Sequence, residues 1–186
     1  AAMTTNTAGG TYNIAVGNYA LDALTSGDYN IAIGGSAGSA INTGGDNTIV
    51  GYLAGNALTS GSDNVALGST SLYTATTTSG NTAVGSNALK LTTGDSNTAI
   101  GRQAMEDNST GSNNVAVGME AMLQNTTGGD NTAIGYGSLE NNTTGTSNVA
   151  VGRDALEATT GNANVGVGHQ AGKANTSGQI IAIGYQ

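Results

Sequence analysis

The chain has 186 residues, with 4 basic and 12 acidic side chains for a net charge of −8, 31 Gly, and no Pro, Cys, Trp or Phe. Charged residues make up 9%, against roughly 25% in ordinary globular chains, and Leu, Ile and Val together number 31. This excludes disulfide staples and Cys-ligated metals. Nucleic acid is not an expected partner, because Lys90, Arg102, Arg153 and Lys173 lie too far apart to form a phosphate-tracking stripe. No membrane insertion by this segment is expected, since no run of about 18 apolar residues occurs. What remains is either a disordered low-complexity chain or a fold that needs very little core per residue.

The period decides between them. Residues 1–10, AAMTTNTAGG, lack the basic and apolar regions of a signal peptide. They read as an N-terminal edge or cap, at the margin of a fragment of something longer. Residues 11–186 form one repeat domain. Its unit opens on Asn and closes on Gly, and the closing glycine falls at Gly17, Gly34, Gly51, Gly68, Gly85, Gly101, Gly118, Gly135, Gly152, Gly168 and Gly184. These are eleven in-register copies spaced 16 or 17 residues apart, and a disordered linker has no reason to hold such a register.

Each column has a chemical identity. The opening position is Asn13, Asn30, Asn47, Asn64, Asn81, Asn97, Asn114, Asn131, Asn148 and Asn164, with Ile180 in the last copy. A β-branched residue follows, then Ala in nine copies (Ile49 and Gly166 depart), then Val, Ile or Leu, then Gly. This is strand chemistry. Side chains alternate along a strand, so the β-branched and aliphatic columns share one face, and Asn, Ala and Gly the other. A second short strand is expected at the x-Ala-Leu segment, as at residues 87–89 and 154–156. The predicted fold is all-β, a parallel β-roll or β-solenoid of eleven 16–17-residue coils. With rungs ~4.8 Å apart the rod is roughly 50 Å long.

In such a stack each Asn lies above the last, and its amide is expected to form a ladder to the next rung's carbonyl. The alternative is turn duty alone. The core is expected to consist of the aliphatic, the β-branched and the Leu or Met side chain of each rung. That leaves the Ala/Asn face exposed, flat and scarcely charged, and self-association around a symmetry axis would cover it.

The segments SNTAIGRQAM (96–105) and SNVAVGRDAL (147–156) resemble the N-S-V-A-I-G-x-x-A/S repeats of the YadA-like head of trimeric autotransporter adhesins. NTTGGDNTAIGYGSL (125–139) is similar to repeats of bacterial and phage surface fibres that precede endosialidase-type chaperone domains. The resemblance covers about 170 residues. It implies a left-handed roll, assembly as a homotrimer, and an extracellular setting on a bacterial cell surface or phage virion. One departure is the coil of 16–17 residues, longer than the adhesin head repeat, which enlarges a loop.

Candidate chemistry is sparse. His169, the only histidine, follows a motif glycine in a freely varying column and reads as a surface residue. No catalytic residue, cofactor or metal site is expected. Asp28, Asp46, Asp63, Asp95 and Asp130 stand one or two residues before the motif Asn. They read as exposed turn aspartates, with a shared calcium ion as the alternative. Tyr52, Tyr136 and Tyr185 directly follow the motif glycine and Tyr19 sits one further. They form a candidate ligand surface for sugars, or else merely half-exposed strand ends. The sequons at Asn108 and Asn125 matter only in a secreted eukaryotic chain.

The expected function is a structural and adhesive fibre segment, a trimeric adhesin head or tail-fibre shaft that meets a host-surface receptor or polysaccharide. The alternative is an ice-binding or other lattice-binding solenoid. Against it, the Thr column (Thr48, Thr82, Thr98, Thr132) is expected to point inward. An enzyme is not expected: only Glu106/Asp107 and Asp154/Glu157 offer local carboxylate pairs, and glycan hydrolysis needs them on facing elements.

Overall fold

A computed structural model describes residues 9–176 and 179–185. Of the expected N-terminal cap, only residues 9 and 10 fall within it. Eleven strands make one sheet: β1 (Ile14–Val16), β2 (Ile31–Ile33), β3 (Thr48–Val50), β4 (Val65–Leu67), β5 (Thr82–Val84), β6 (Thr98–Ile100), β7 (Val115–Val117), β8 (Thr132–Ile134), β9 (Val149–Val151), β10 (Val165–Val167) and β11 (Ile181–Ile183). They pair in sequence order, all parallel, with like columns in register, as in Thr98↔Val115, Ala99↔Ala116 and Ile100↔Val117. No helix occurs among the described residues. The chain is a parallel β-solenoid of about ten turns.

The asparagines form a continuous hydrogen-bonded column. Asn114 shows the pattern: its backbone N–H and its Nδ2 both donate to Asn97 Oδ1, at 3.0 and 3.2 Å. Nδ2 also donates to the Gly128 carbonyl one rung on, at 2.8 Å. Its own Oδ1 accepts from Asn131 N and Nδ2 at 3.0 and 3.1 Å. The ladder asparagines from Asn30 to Asn164 are buried, and every one needs its partners, because an unsatisfied buried amide costs about 1–3 kcal/mol. At the far end Ile180 lacks the side chain, but its N–H still donates to Asn164 Oδ1 at 3.0 Å.

A second amide column, whose asparagines the sequence shows only as sequons, runs beside the first in the C-terminal half. Asn125 Nδ2 donates to Asn108 Oδ1 at 2.6 Å, and Asn142 Nδ2 donates to Asn125 Oδ1 at 3.2 Å. The two columns share acceptors. The Gly111 carbonyl takes Asn97 Nδ2 and Asn108 Nδ2, both at 2.9 Å, and the Gly128 carbonyl takes Asn114 and Asn125 at 2.8 and 3.0 Å. In the N-terminal half the same position holds Leu24, Ile41, Leu58 and Ala75, all buried. The sequons at Asn108 and Asn125 are therefore buried ladder positions, closed to modification in the folded chain.

The sheet faces lie opposite to the expectation. Ala32, Ala66, Ala83, Ala99, Ala116, Ala133 and Ala150 are fully buried, while the strand residues on either side of each are half-buried or exposed. The Asn/Ala/Gly face is the interior, and the β-branched and aliphatic columns point out. Space explains the inversion. Leu21, Leu72, Leu89, Met105, Met122, Leu139 and Leu156 enter the interior from the opposite wall, which leaves the strand side room for Ala only. The three departures follow from the same volume. Where that wall carries Gly55, Ile49 replaces Ala, and a Cβ on Gly55 would lie 3.1 Å from Ile49 Cδ1. Ile180 likewise fills the space beside Gly172 (2.9 Å). Gly166 replaces Ala because a Cβ there would press on Leu156 Cγ at 2.7 Å.

The expected second strand is absent. Residues 87–89 and 154–156 are turns in which alternate residues are left-handed: Asn87 and Leu89 at φ 60° and 49°, Asp154 and Leu156 at 54° and 51°. The left-handed residues of this segment bond along the rod. Gln103 N donates to Ser86 O one rung back (2.9 Å), and Met105 N donates to Ala121 O one rung on (3.0 Å). A left-handed Leu costs roughly 1–2 kcal/mol, and full burial of its side chain returns about 1.5–3 kcal/mol, so the strain holds only while the neighbouring rungs are in place. The closing glycine is required for a different reason. Gly101 has φ +138°, and a Cβ would lie 2.4 Å from the Gly118 carbonyl oxygen.

Two outcomes follow. Asn114→Ala removes four side-chain hydrogen bonds and lowers stability in denaturant titration by about 3 kcal/mol or more. The same change at Asn13, at the half-exposed end of the ladder, costs clearly less. Gly55→Leu overpacks against Ile49 and costs about 1–3 kcal/mol. Gly55→Leu with Ile49→Ala recovers most of that loss, a non-additivity read from the four denaturation midpoints.

Candidate functional site: the outward sheet face and its margins

Because Ala points in, the solenoid carries two apolar columns on its surface. One is β-branched, the other entirely Val, Ile or Leu from Val16 to Ile183. Ile33, Ile100 and Ile134, each with a paired strand on both sides, are 40–42% exposed. The columns are about 7 Å apart and the strip roughly 50 Å long. A contiguous apolar strip of this kind marks an interaction surface. The Thr column lies on this face and not inward as expected: Thr48, Thr82, Thr98 and Thr132 are half-buried on its surface.

Two margins bound the strip. On the exit side, the residue after the closing glycine runs Asn18, Gly35, Tyr52, Ser69 and Ser86, then Arg102, Met119, Tyr136, Arg153, His169 and Tyr185. Small side chains dominate the first half and large ones the second. The large ones stack along the rod. The Arg153 guanidinium lies over the Tyr136 ring at 5.4 Å, and His169 and Tyr185 stack at 5.2 Å. Arg102 Nη2 reaches Met119 Sδ at 3.4 Å and Glu120 Oε1 at 2.8 Å. Of the three tyrosines singled out for sugar stacking, Tyr136 and Tyr185 thus already have a ring face covered by a neighbouring rung. Tyr52, 63% exposed, stands between Gly35 and Ser69. His169 is half-buried in this stack and its Nδ1 is buried without a hydrogen-bond partner.

On the entry side, the acidic positions separate into two columns. Asp28 and Asp95 cap backbone: Asp28 accepts from Thr11 N and Oγ1 (2.6 and 2.9 Å), and Asp95 from Ser79 N (2.8 Å). Ser62, Ser79 and Ser112 use their hydroxyls in the same way. The Thr11 donors hold the Asp28 carboxyl below its ordinary value. Asp46, Asp63 and Asp130 occupy the next column, left-handed and exposed. Tyr12 and Tyr29 stack in that column at 5.1 Å. Among the described residues no group of three or more acidic or His side chains is arranged to hold a metal ion.

Beyond the exit margin lies a knot of charge. Lys173 Nζ meets Glu157 at 2.6 Å and Asp154 at 3.7 Å, and Arg153 meets Asp154 at 3.5 Å. Lys90 pairs with Glu106 at 3.0 Å. Burial, then the charges of Glu157, Glu120 and Asp154, push the Glu140 carboxyl above its ordinary value. The Tyr136 hydroxyl is pushed up by its hydrogen bond to Glu120.

The chain matches no family model, no curated protein and no solved structure.

The raised Glu140 value gives a signed pH dependence. Its charged form is disfavoured in the fold, so its ionisation weakens the protein as pH rises from the ordinary glutamate value of 4.5 through the higher folded one. Glu140→Gln therefore melts at higher temperature than the parent at pH 7. The difference vanishes below about pH 4, where the carboxyl is protonated in both states.

Proposed function

We propose that the chain is a structural and adhesive segment of a surface fibre, either an adhesin head or a tail-fibre shaft. It is left-handed and homotrimeric, displayed outside the cell on a bacterial surface or a phage virion, and presents its outer walls to a host receptor or polysaccharide. The observation that carries this reading is the outward apolar strip along all eleven strands. A monomer would leave it in water over the length of the rod. Packing around an axis along the rod covers it in every copy at once. The likeness of the repeats to adhesin heads and fibre shafts supplies hand, copy number and setting. The carboxylate pairs that an enzyme would need are occupied within the chain: Glu106 by Lys90, and Asp154 and Glu157 by Lys173.

A lattice-binding solenoid is the second reading. The outward Thr column favours it, because hydroxyls of Thr48, Thr82, Thr98 and Thr132 stand on a flat face one or two rungs apart. The neighbouring column opposes it, since from Val16 to Ile183 it has no hydroxyl and so suits a dry contact with protein better than ordered water.

Light scattering on the purified chain separates the two. A mass near three times 18.1 kDa is expected, together with an ordinary freezing curve. A monomer with thermal hysteresis would replace the fibre reading by the lattice one.

A further inference from the structure

The apolar strip is too narrow to hold copies together alone. At about 7 Å by 50 Å between column centres it offers a few hundred Å², whereas a stable interface takes about 800 Å² from each partner. The margins must contribute, and they differ in charge. The entry margin carries Asp28, Asp46, Asp63, Asp95 and Asp130 and no base. The exit margin carries Arg102 and Arg153, whose side chains are 52% and 63% exposed, and His169. Glu120 and Asp154, one position further on, balance the two arginines. The uncompensated acid is thus on one side of the strip, and the exit side is close to neutral.

This asymmetry selects an arrangement. A two-fold axis across the rod lays the strips antiparallel and sets like margins together, five aspartates against five. An axis along the rod, in a ring or a parallel pair, sets each entry margin against the exit margin of the next copy. Rung heights then coincide. Asp95 and Arg102 flank the same strand, β6, so Asp95 of one copy stands level with Arg102 of the next. Asp130, before β8, stands one rung, ~4.8 Å, below Arg153, after β9. Each arginine keeps donors beyond those used within its chain, since a guanidinium has five.

Resting on the self-association proposed above, we infer that copies meet by unlike margins. The Asp95/Asp130 side of one faces the Arg102/Arg153 side of its neighbour, which fixes parallel direction and axial register. Charge at such a rim sets partner choice and orientation more than raw affinity.

The chain contains no cysteine, so disulfide trapping is clean. Asn113 and Met119 stand on the entry and exit margins of β7 and are both exposed. They are separated by the extended strand, beyond the roughly 7 Å Cα separation that a disulfide spans. Under oxidation, Asn113→Cys alone and Met119→Cys alone stay single chains on a denaturing gel, and the double variant becomes covalent oligomers. In parallel, Asp95→Lys weakens association on the order of tenfold, and Asp95→Lys with Arg102→Glu restores it. Unlike-margin pairing is overturned if a single-cysteine variant cross-links, if the double variant stays uncross-linked while its mass is that of an oligomer, or if the charge swap does not restore association. A mass of 18.1 kDa for the parent would instead remove the self-association reading itself, and the pairing with it.

Discussion

The fold depends on one constraint: every rung must lie directly on the last, so that each inward amide finds its acceptor one rung away. The inward groups of a narrow coil are shielded from bulk solvent, and buried polar groups need partners. The asparagine column meets that need from both directions. Its Oδ1 takes the N–H of the following rung, and its Nδ2 reaches that rung's glycine carbonyl, as at Asn131, where the distances are 2.9 Å from Asn148 N and 2.8 Å to Gly145 O. Asp could not replace it, having no donor, and neither could Gln without changing the reach. The glycine column answers to the same stacking, since any side chain at Gly101 or Gly118 would collide with the carbonyl of the next rung.

An interior this thin shapes everything else. Most rungs contribute the strand Ala and Asn, a turn Ala or Ser, and a Leu or Met, with a further Leu, Ile, Ala, Thr or Asn. On the strand side a larger side chain enters where a glycine opposite makes room, as Ile49 does against Gly55. The turn segment accepts left-handed Leu and Met residues because only that geometry aims both the side chain inward and the N–H along the rod. A single coil could not hold such strain. The solenoid is therefore cooperative between neighbours, and the larger apolar side chains of its strands end up outside.

Much of this was legible in the residues. The period, the strand positions and the faces shared by alternate columns are stated by the spacing itself. The direction of the faces was not, because alternation says which residues share a side and not which side is in. A cue was present: if Asn97 and Asn114 form a buried ladder, then Ala99 and Ala116 must be inside with them, and Thr98 and Ile100 must be out. Ranking by side-chain size pointed the other way. The left-handed turn segment left a fainter trace, in Gly38, Gly55 and Gly172 standing where other rungs have Leu. The second amide ladder was visible as Asn108, Asn125 and Asn142 in one column, and its Thr-rich surroundings made it look like loop. The stacking of Tyr136 under Arg153 and of Tyr185 on His169 depends on contacts between rungs that a single repeat does not display.

The inversion of the faces matters most for function, because it places the two columns expected inside on an apolar surface the length of the rod, flanked by one acidic margin and one nearly neutral margin. All of it presupposes that the amides are stacked and sequestered. The most direct measurement is the exchange of the asparagine side-chain amide protons with solvent, followed by nitrogen-edited NMR. Amides from Asn30 to Asn148 should exchange orders of magnitude more slowly than a free amide, with Asn13 the fastest of the column. Uniformly fast exchange along the column, at the rate of a solvated asparagine, would contradict the ladder and the rung-on-rung stacking built on it.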